Sequence, residues 1–332
     1  MELPRFDGVS VLVTGGAGFI GSHLVRGLLG SGAEVLVLDN FSHGMRENLA
    51  DVAGQVKIME GDIREAKACA EAVRGRRYVF HLAALGSVPA SVDDPVKYNE
   101  VNIGGTLNVL EAARQAGVKR VVYSASSAAY GDSLVLPKVE TMNPAPKSPY
   151  AVTKLVGEYY CQVYAQVYGL STASLRYFNV FGPRQNPKSQ YAAVIPAFLS
   201  ALAEGRSPII YGDGEQTRDF CFVRNVVRAN MLAALSEQPL AGQPLNIACG
   251  ERTSLNRMLE LMQGLLGTRV APKYLPVRAG DVRDSLADVR AAGEAIGFVP
   301  EVMFAKGLEM TVREWQAGRQ VGTKSEQGIY AG

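Results

Sequence analysis

Residues 9–30 read VSVLVTGGAGFIGSHLVRGLLG. A short β-branched run ends at three glycines, Gly15, Gly18 and Gly21, spaced three apart. Behind them Phe19, Ile20, Leu24, Val25 and Leu28 recur at helical spacing, until Gly30-Ser31-Gly32 stops the helix. Glycine allows a tight turn and close backbone approach, and a helix N-terminus offers N–H donors to a pyrophosphate. A glycine-rich strand end is weak evidence alone, so its surroundings decide the reading.

Those surroundings repeat the pattern. EVLVLD (34–39), QVKIME (55–60), RRYVFHLA (76–83) and KRVVYSAS (119–126) read as further strands, with helical stretches near 64–74 and 95–116. A helix from about Pro149 to Tyr168 leads into STASLRYFNVFG (171–182), a sixth strand. Strand and helix in alternation imply a Rossmann-type α/β fold, a doubly wound parallel sheet covered on both faces, with right-handed crossovers. After about residue 178 the elements shorten and Pro183, Pro187, Pro196 and Pro208 punctuate them. We therefore expect a dinucleotide-binding domain over 1–178 and a smaller α/β substrate domain over 179–332. The segment of about 219–248 again reads strand, helix, strand, and is expected to return to the first domain. The polar tail after Trp315 is expected to be loosely held.

Composition narrows the function. With 47% apolar and 20% charged residues in 332, the chain can bury a large core. Thirty-four basic against thirty-two acidic residues give +2, too little for nucleic acid or an anionic membrane as main partner. No apolar stretch reaches the roughly 20 residues of a bilayer span. The start has no signal-peptide pattern, so a soluble, cytosolic protein is expected. Cys69, Cys161, Cys221 and Cys249 are scattered, as are His23, His43 and His81, so neither a disulfide framework nor a metal site is expected.

Three features carry chemistry. Asp39 ends the second strand, where a carboxylate accepts hydrogen bonds from adenosine ribose hydroxyls and repels a 2′-phosphate. That favours NAD over NADP. Tyr150 and Lys154 stand four apart, on one helical face, where an ammonium can lower the phenol pKa and make a base for a hydroxyl proton. Ser124-Ala125-Ser126-Ser127 lies at the carboxyl end of the fifth strand, which faces the ligand crevice in such sheets.

Together with Gly61-Asp62-Ile63, His81-Leu82-Ala83-Ala84, Tyr130-Gly131 and the run Arg176–Pro183, these residues resemble the extended short-chain dehydrogenase/reductases. Within them the chain looks like the nucleotide-sugar 4-epimerases, over nearly its whole length. SPYAVTK (148–154), AAVIP (192–196), YGDGEQTRDFCFV (211–223) and GDVRDSLAD (280–288) are most similar to bacterial UDP-N-acetylglucosamine 4-epimerases of surface-polysaccharide pathways. The resemblance implies a catalytic group of Ser126, Tyr150 and Lys154. It implies an NAD site of Gly15, Gly18, Phe19, Ile20, Gly21, Asp39, Asn40, Asp62, Ile63, Leu82, Ala83, Ala84, Asn102 and Tyr177, with Tyr150 and Lys154. The UDP-sugar would meet Ser87, Val88, Ser126, Ser127, Asn179, Ala193, Val194, Tyr211, Arg218, Arg278, Asp281 and Ser285. Arg218 and Arg278 can pair with a diphosphate, and Tyr211 can stack on uracil.

Two positions depart from the family pattern. Gly86 stands where many UDP-galactose 4-epimerases have Lys, and the usual triple serine is interrupted at Ala125. Ser285 falls at the position where a bulky Tyr is associated with unacetylated sugars, so room for a 2-acetamido group is expected. The reaction implied is reversible inversion at C4 of UDP-GlcNAc/UDP-GalNAc, with UDP-Glc/UDP-Gal also admitted. Related dehydratases and decarboxylases have acidic residues after the Ser/Thr; Ser126–Tyr130 has none. A reductase is disfavoured by Asp39, and a redox-inactive NAD sensor by the intact Tyr150 and Lys154. The stretches 95–116 and 149–168 are apolar on more than one face. They either support a homodimer, which the resemblance also suggests, or are buried within one chain.

Overall fold

The computed structural model describes residues 3–185, 194–277 and 283–327, with side chains through Ala317. Six strands follow the apolar runs: β1 (Ser10–Thr14), β2 (Glu34–Asp39), β3 (Lys57–Glu60), β4 (Tyr78–His81), β5 (Arg120–Ser126) and β6 (Thr172–Tyr177). The strand Ala241–Ile247 joins β6 at one edge. The full order is then Ala241–Ile247, β6, β5, β4, β1, β2, β3, and every pairing is parallel. Because helices cover both faces, the central strands are buried on both sides, which is why they read as continuous apolar runs.

The chain runs outward from β1 to β2 and β3, then returns to β4 on the other side of β1. The carboxyl ends of β1 and β4, where Thr14 pairs with His81, are therefore the topological switch point at which such sheets bind ligands.

Helix α1 (Phe19–Gly30) spans the expected residues. The helix Val223–Leu235 packs on it, with Gly27 so close to Val227 that a Cβ there would lie 2.7 Å from the valine. Arg120 at the start of β5 donates to the carbonyls of Ala233 (2.7 Å), Ser236 (2.8 Å) and Gln238 (3.2 Å), at the negative end of that helix. Segment 223–247 thus packs on and pairs with the sheet built by the first 177 residues. A second apolar cluster lies around Phe181, Phe198, Ile210, Phe220, Met258 and Phe304.

One element differs from expectation. The stretch 95–116 is not one regular helix: Pro95–Tyr98 and Gly105–Gln115 flank a widened π-helical turn over Asn99–Gly104. Thr106 Oγ1 donates to the Asn102 carbonyl at 2.5 Å, and such back-bonding competes with the regular ladder. The last described helix runs Phe304–Gln327 and so carries the chain on past Trp315. No helix of the described residues is long and apolar enough to cross a membrane.

Candidate active site

At the switch point lies a cleft of about 630 Å³. Its floor is the glycine turn. Gly15 has φ +70°, and a Cβ there would meet Ala83 N at 2.7 Å; a Cβ on Gly21 would lie 2.1 Å from Gly15 O. Glycine at both positions is what lets α1 start against the end of β1. Gly18 caps α1 without a side-chain hydrogen bond, so the first-turn N–H groups remain open to an anion.

Asp39 closes the far end. Its Oδ2 accepts from Ala17 N and its Oδ1 from Phe41 N, both at 2.9 Å, which leaves each oxygen a further acceptor site toward the cleft. Asn40 Nδ2 donates to Asp62 at 2.8 Å, and Arg64 adds backbone and guanidinium bonds. Those Arg64 bonds hold the Asp62 carboxyl down at about 2 despite its partial burial.

One cleft wall is set by a buried histidine. Thr106 spends its proton on the Asn102 carbonyl, so its oxygen must accept from His81 Nε2 (2.9 Å). Nδ1 then accepts from Thr14 Oγ1 (2.7 Å), which itself accepts from Ala83 N (3.2 Å). Burial, with Lys154 nearby, pushes His81 down to about 3, so the neutral ring this chain requires persists at any ordinary pH. Asn102 does not line the cleft. It lies behind it, exchanging hydrogen bonds with the Leu85 backbone (2.8 and 3.1 Å) and donating to Thr153 Oγ1 (3.0 Å).

The opposite wall carries the reactive groups. Ser148 caps the helix Pro149–Tyr168, accepting from Ala151 N at 3.1 Å, and Pro149 occupies its first position. Tyr150 therefore sits in the first turn and lines the cleft together with Ser126. One turn on, Lys154 is buried, donating from Nζ to the Ser124 carbonyl at 2.7 Å. Burial holds Tyr150 above the ordinary phenol range, and the opposing pull comes from Ser126. The expected lowering of that phenol by Lys154 is not what sets its pKa here. Burial pushes Lys154 itself down to about 8, against Glu158 one further turn along. Glu158 in turn makes a bidentate, fully buried pair with Arg176 of β6, at 2.9 and 2.7 Å.

The cleft gathers Gly15, Gly18, Phe19, Ile20, Gly21, Asp39, Asn40, Asp62, Ile63, Leu82, Ala83, Ala84, Ser126, Tyr150, Lys154 and Tyr177. Tyr177 presents its ring, its hydroxyl being engaged with Asn230 at 3.0 Å. Among the described residues, the expected substrate groups other than Ser126 are not in its lining. Ser87 caps the helix Val88–Asp93 through its hydroxyl, Val88 is exposed, and Ser127 begins a short 3₁₀ turn. Val194 opens the helix Val194–Ala203, and Tyr211 ends the strand Ile209–Tyr211. Ala193, Arg278 and Asp281 lie outside the described residues.

Asn179, Arg218 and Ser285 do converge. Asn179 Nδ2 donates to Ser285 Oγ (3.0 Å) and to the Asp219 carbonyl (3.1 Å), and Arg218 Nη1 reaches the carbonyls of Thr217 and Arg283 (both 2.9 Å). Ser285 Oγ is thus an acceptor for both the Asn179 amide and the Asp219 N–H. Sequence reasoning missed Arg64, Lys97 and Gln185 in the lining, and Asp219 beneath Arg218. Only Asp219 left a trace, as a lone acid at the head of the apolar run DFCFV.

Residues 11–248 match the NAD dependent epimerase/dehydratase family. The chain belongs to that family. Among its solved relatives is a UDP-N-acetylglucosamine 4-epimerase from Methanobrevibacter ruminantium M1, in complex with UDP-N-acetylmuramic acid. It is 41% identical, with TM-score 0.89 over 94% of this chain and 99% of that one. A UDP-glucose 4-epimerase of Thermus thermophilus, solved with NAD, is 39% identical, with TM-score 0.83 over 93% and 99%. A UDP-glucose 4-epimerase of Mycolicibacterium smegmatis is 40% identical over 305 residues, 91% of this chain and 96% of its own.

Proposed function

We propose that this chain is an NAD-dependent UDP-sugar 4-epimerase that interconverts UDP-GlcNAc and UDP-GalNAc and also accepts UDP-Glc and UDP-Gal. The observation that carries this reading is the meeting of Ser126, Tyr150 and the buried Lys154 on one wall of a cleft whose other walls fit a dinucleotide. The unsubstituted glycine turn, the open N-terminus of α1 and the spare acceptors of Asp39 match a pyrophosphate and a 2′-hydroxyl. NAD, when bound, supplies reversible hydride acceptance at C4 of the sugar.

The chain's own groups handle the proton. Tyr150 takes it from the C4 hydroxyl, while Ser126 bridges the phenol and that oxygen. Lys154, pushed down to about 8, stays mainly charged at pH 7 one helical turn away. There its charge favours the phenolate as the proton moves, against the burial that holds the resting phenol up. No carboxylate occurs from Ser126 to Tyr130, so nothing there is placed to take a C5 proton, which favours epimerisation over dehydration. We place the diphosphate against Arg218, and against Arg278 beyond the described residues, so that the flat 4-keto sugar can turn while its nucleotide stays fixed.

The acetamido preference rests on the small side chain of Ser285, and on the 41% identical UDP-N-acetylglucosamine 4-epimerase. Spare room does not exclude the smaller sugar. Purified holoenzyme incubated separately with UDP-GlcNAc and UDP-Glc, with products identified by NMR, tests both parts. Both C4 epimers are expected, the acetylated one faster. Conversion of neither sinks the reading, and conversion of UDP-Glc alone sinks the preference. In Ser285→Tyr the ratio should move toward UDP-Glc, on top of a general loss from the broken Asn179 contact.

We also propose a homodimer through the helix Pro149–Tyr168. Its Val152, Tyr159, Val163 and Val167 form an exposed stripe on one face, Val167 being 65% accessible. Sedimentation at micromolar concentration should give twice the chain mass. The four buried free thiols suit the reducing cytosol, where we place the enzyme.

A further inference from the structure

Asp219 has no exposed surface, and the mechanism above does not use it. Its Oδ1 accepts from Cys249 N at 2.9 Å, and its Oδ2 from Gly250 N at 3.0 Å and Ala287 N at 3.1 Å. One carboxylate therefore ties the turn that follows Ala241–Ile247, at the sheet edge, to the segment around residue 287. The backbone of the same residue holds the expected substrate groups. Its N–H donates to Ser285 Oγ (3.2 Å), and its C=O accepts from Asn179 Nδ2 (3.1 Å). Arg218 precedes it directly and is fastened to the Arg283 carbonyl, in a stretch where Ser285 N also bonds Thr217 O (3.1 Å). All three side chains thus take their places from the residue whose carboxylate is anchored to the sheet.

From this geometry we infer that Asp219 is the positioning residue of the sugar-nucleotide half, fixing Asn179, Arg218 and Ser285 where they meet the substrate. The inference rests on the functional reading above for what those three residues bind. A carboxylate only accepts, which suits three converging N–H donors; a neutral acid or an amide turns a donor toward one of them. Burial raises the Asp219 pKa to about 6, against the pull of the backbone N–H groups. The ionisable groups about it are Arg218 beside it in sequence, the Cys221 thiol on the short strand Cys221–Phe222, and the Cys249 thiol past the sheet edge. Cys221 is pushed well up by Cys249 and burial and stays neutral. All histidines of the chain lie at or before His81. Glu140, which accepts from Asn246 N at 2.7 Å, is also raised by burial. Among the described contacts, however, Asp219 is the carboxylate whose own backbone bonds Asn179 and Ser285, and substrate affinity should follow its charge.

The test is KM and kcat of wild-type and Asp219→Asn holoenzyme for UDP-Glc and UDP-GlcNAc from about pH 5 to about pH 8, with NADH affinity measured by fluorescence. In the variant we expect KM to rise about tenfold, kcat to stay within about threefold, and NADH affinity to hold. Wild-type KM should climb as pH falls through about 6, and this climb should vanish in the variant. An unchanged KM, or equal losses of KM and NADH affinity, overturns the inference. Should the variant fail to fold, a flat wild-type KM across the range overturns it alone. If neither sugar turns over, the functional reading fails first, and calorimetric binding of UDP-Glc over the same range still tests Asp219.

Discussion

The cofactor-facing half of the molecule takes its shape from backbone, whereas the half holding Asn179, Arg218 and Ser285 takes its shape from buried polar side chains. In the first, Gly15 and Gly21 let strand and helix close to contact, and Asp39 and His81, on the two strands flanking β1, bond Ala17 and Thr14 at its carboxyl end. In the second, Asp219 collects N–H groups from the 249–250 turn and from residue 287, two loops remote from it and from each other in sequence. A site made of adjacent βα turns is rigid by construction. A site made of distant loops is only as fixed as the acceptor joining them.

The sharpest break in that comparison is at the junction of the halves. Tyr150→Phe removes the proton acceptor and should lower kcat by about 10³-fold with NADH affinity unchanged, since general acid–base groups contribute roughly 10²–10⁴. Stopped assays on both sugars would show it, and a variant within tenfold of wild type would remove Tyr150 from the mechanism.

Next in size is a loss of stability in the cofactor half. Glu158→Gln leaves Arg176 as a buried cation without its bidentate partner, which should cost about 3 kcal/mol in denaturant unfolding. A cost below about 1 kcal/mol would mean the pair is dispensable.

Gly21→Ala should act on the cofactor alone. Its Cβ would lie 2.1 Å from Gly15 O, and the shift needed to relieve that should weaken NADH binding by about 10- to 100-fold, the equivalent of 1–3 kcal/mol of overpacking. Normal affinity in this variant would show that the turn yields freely, against the rigidity claimed for this half. The smallest effect belongs to the other half. Ser285→Ala leaves Asp219 N–H and the Asn179 amide short of an acceptor, and should raise KM by a few-fold, about 1 kcal/mol, with NADH affinity unmoved.

The same contrast explains what could be read from sequence. β1, α1, β2 and the helix Pro149–Tyr168 are legible because strand period, glycine turn and Ser-Pro cap are short-range signals. The π-helical turn at Asn99–Gly104 is not, since it depends on where one threonine hydroxyl points. Spacing put Tyr150 and Lys154 on one face, but the sign of the phenol's shift depends on how deeply the fold buries it. The two hydrogen bonds accepted by Ser285 are not legible, because their donors are remote in sequence, at residues 179 and 219.

One measurement bears most directly on the central claim, that a proton acceptor and a retained dinucleotide invert C4 within this cleft. Holoenzyme is incubated with UDP-GlcNAc carrying deuterium at C4, and the product is read by NMR and mass spectrometry. The account predicts UDP-GalNAc with deuterium still at C4 and no accumulation of free NADH. Deuterium exchanged into solvent, or release of a dehydrated or decarboxylated product in place of the epimer, would contradict it.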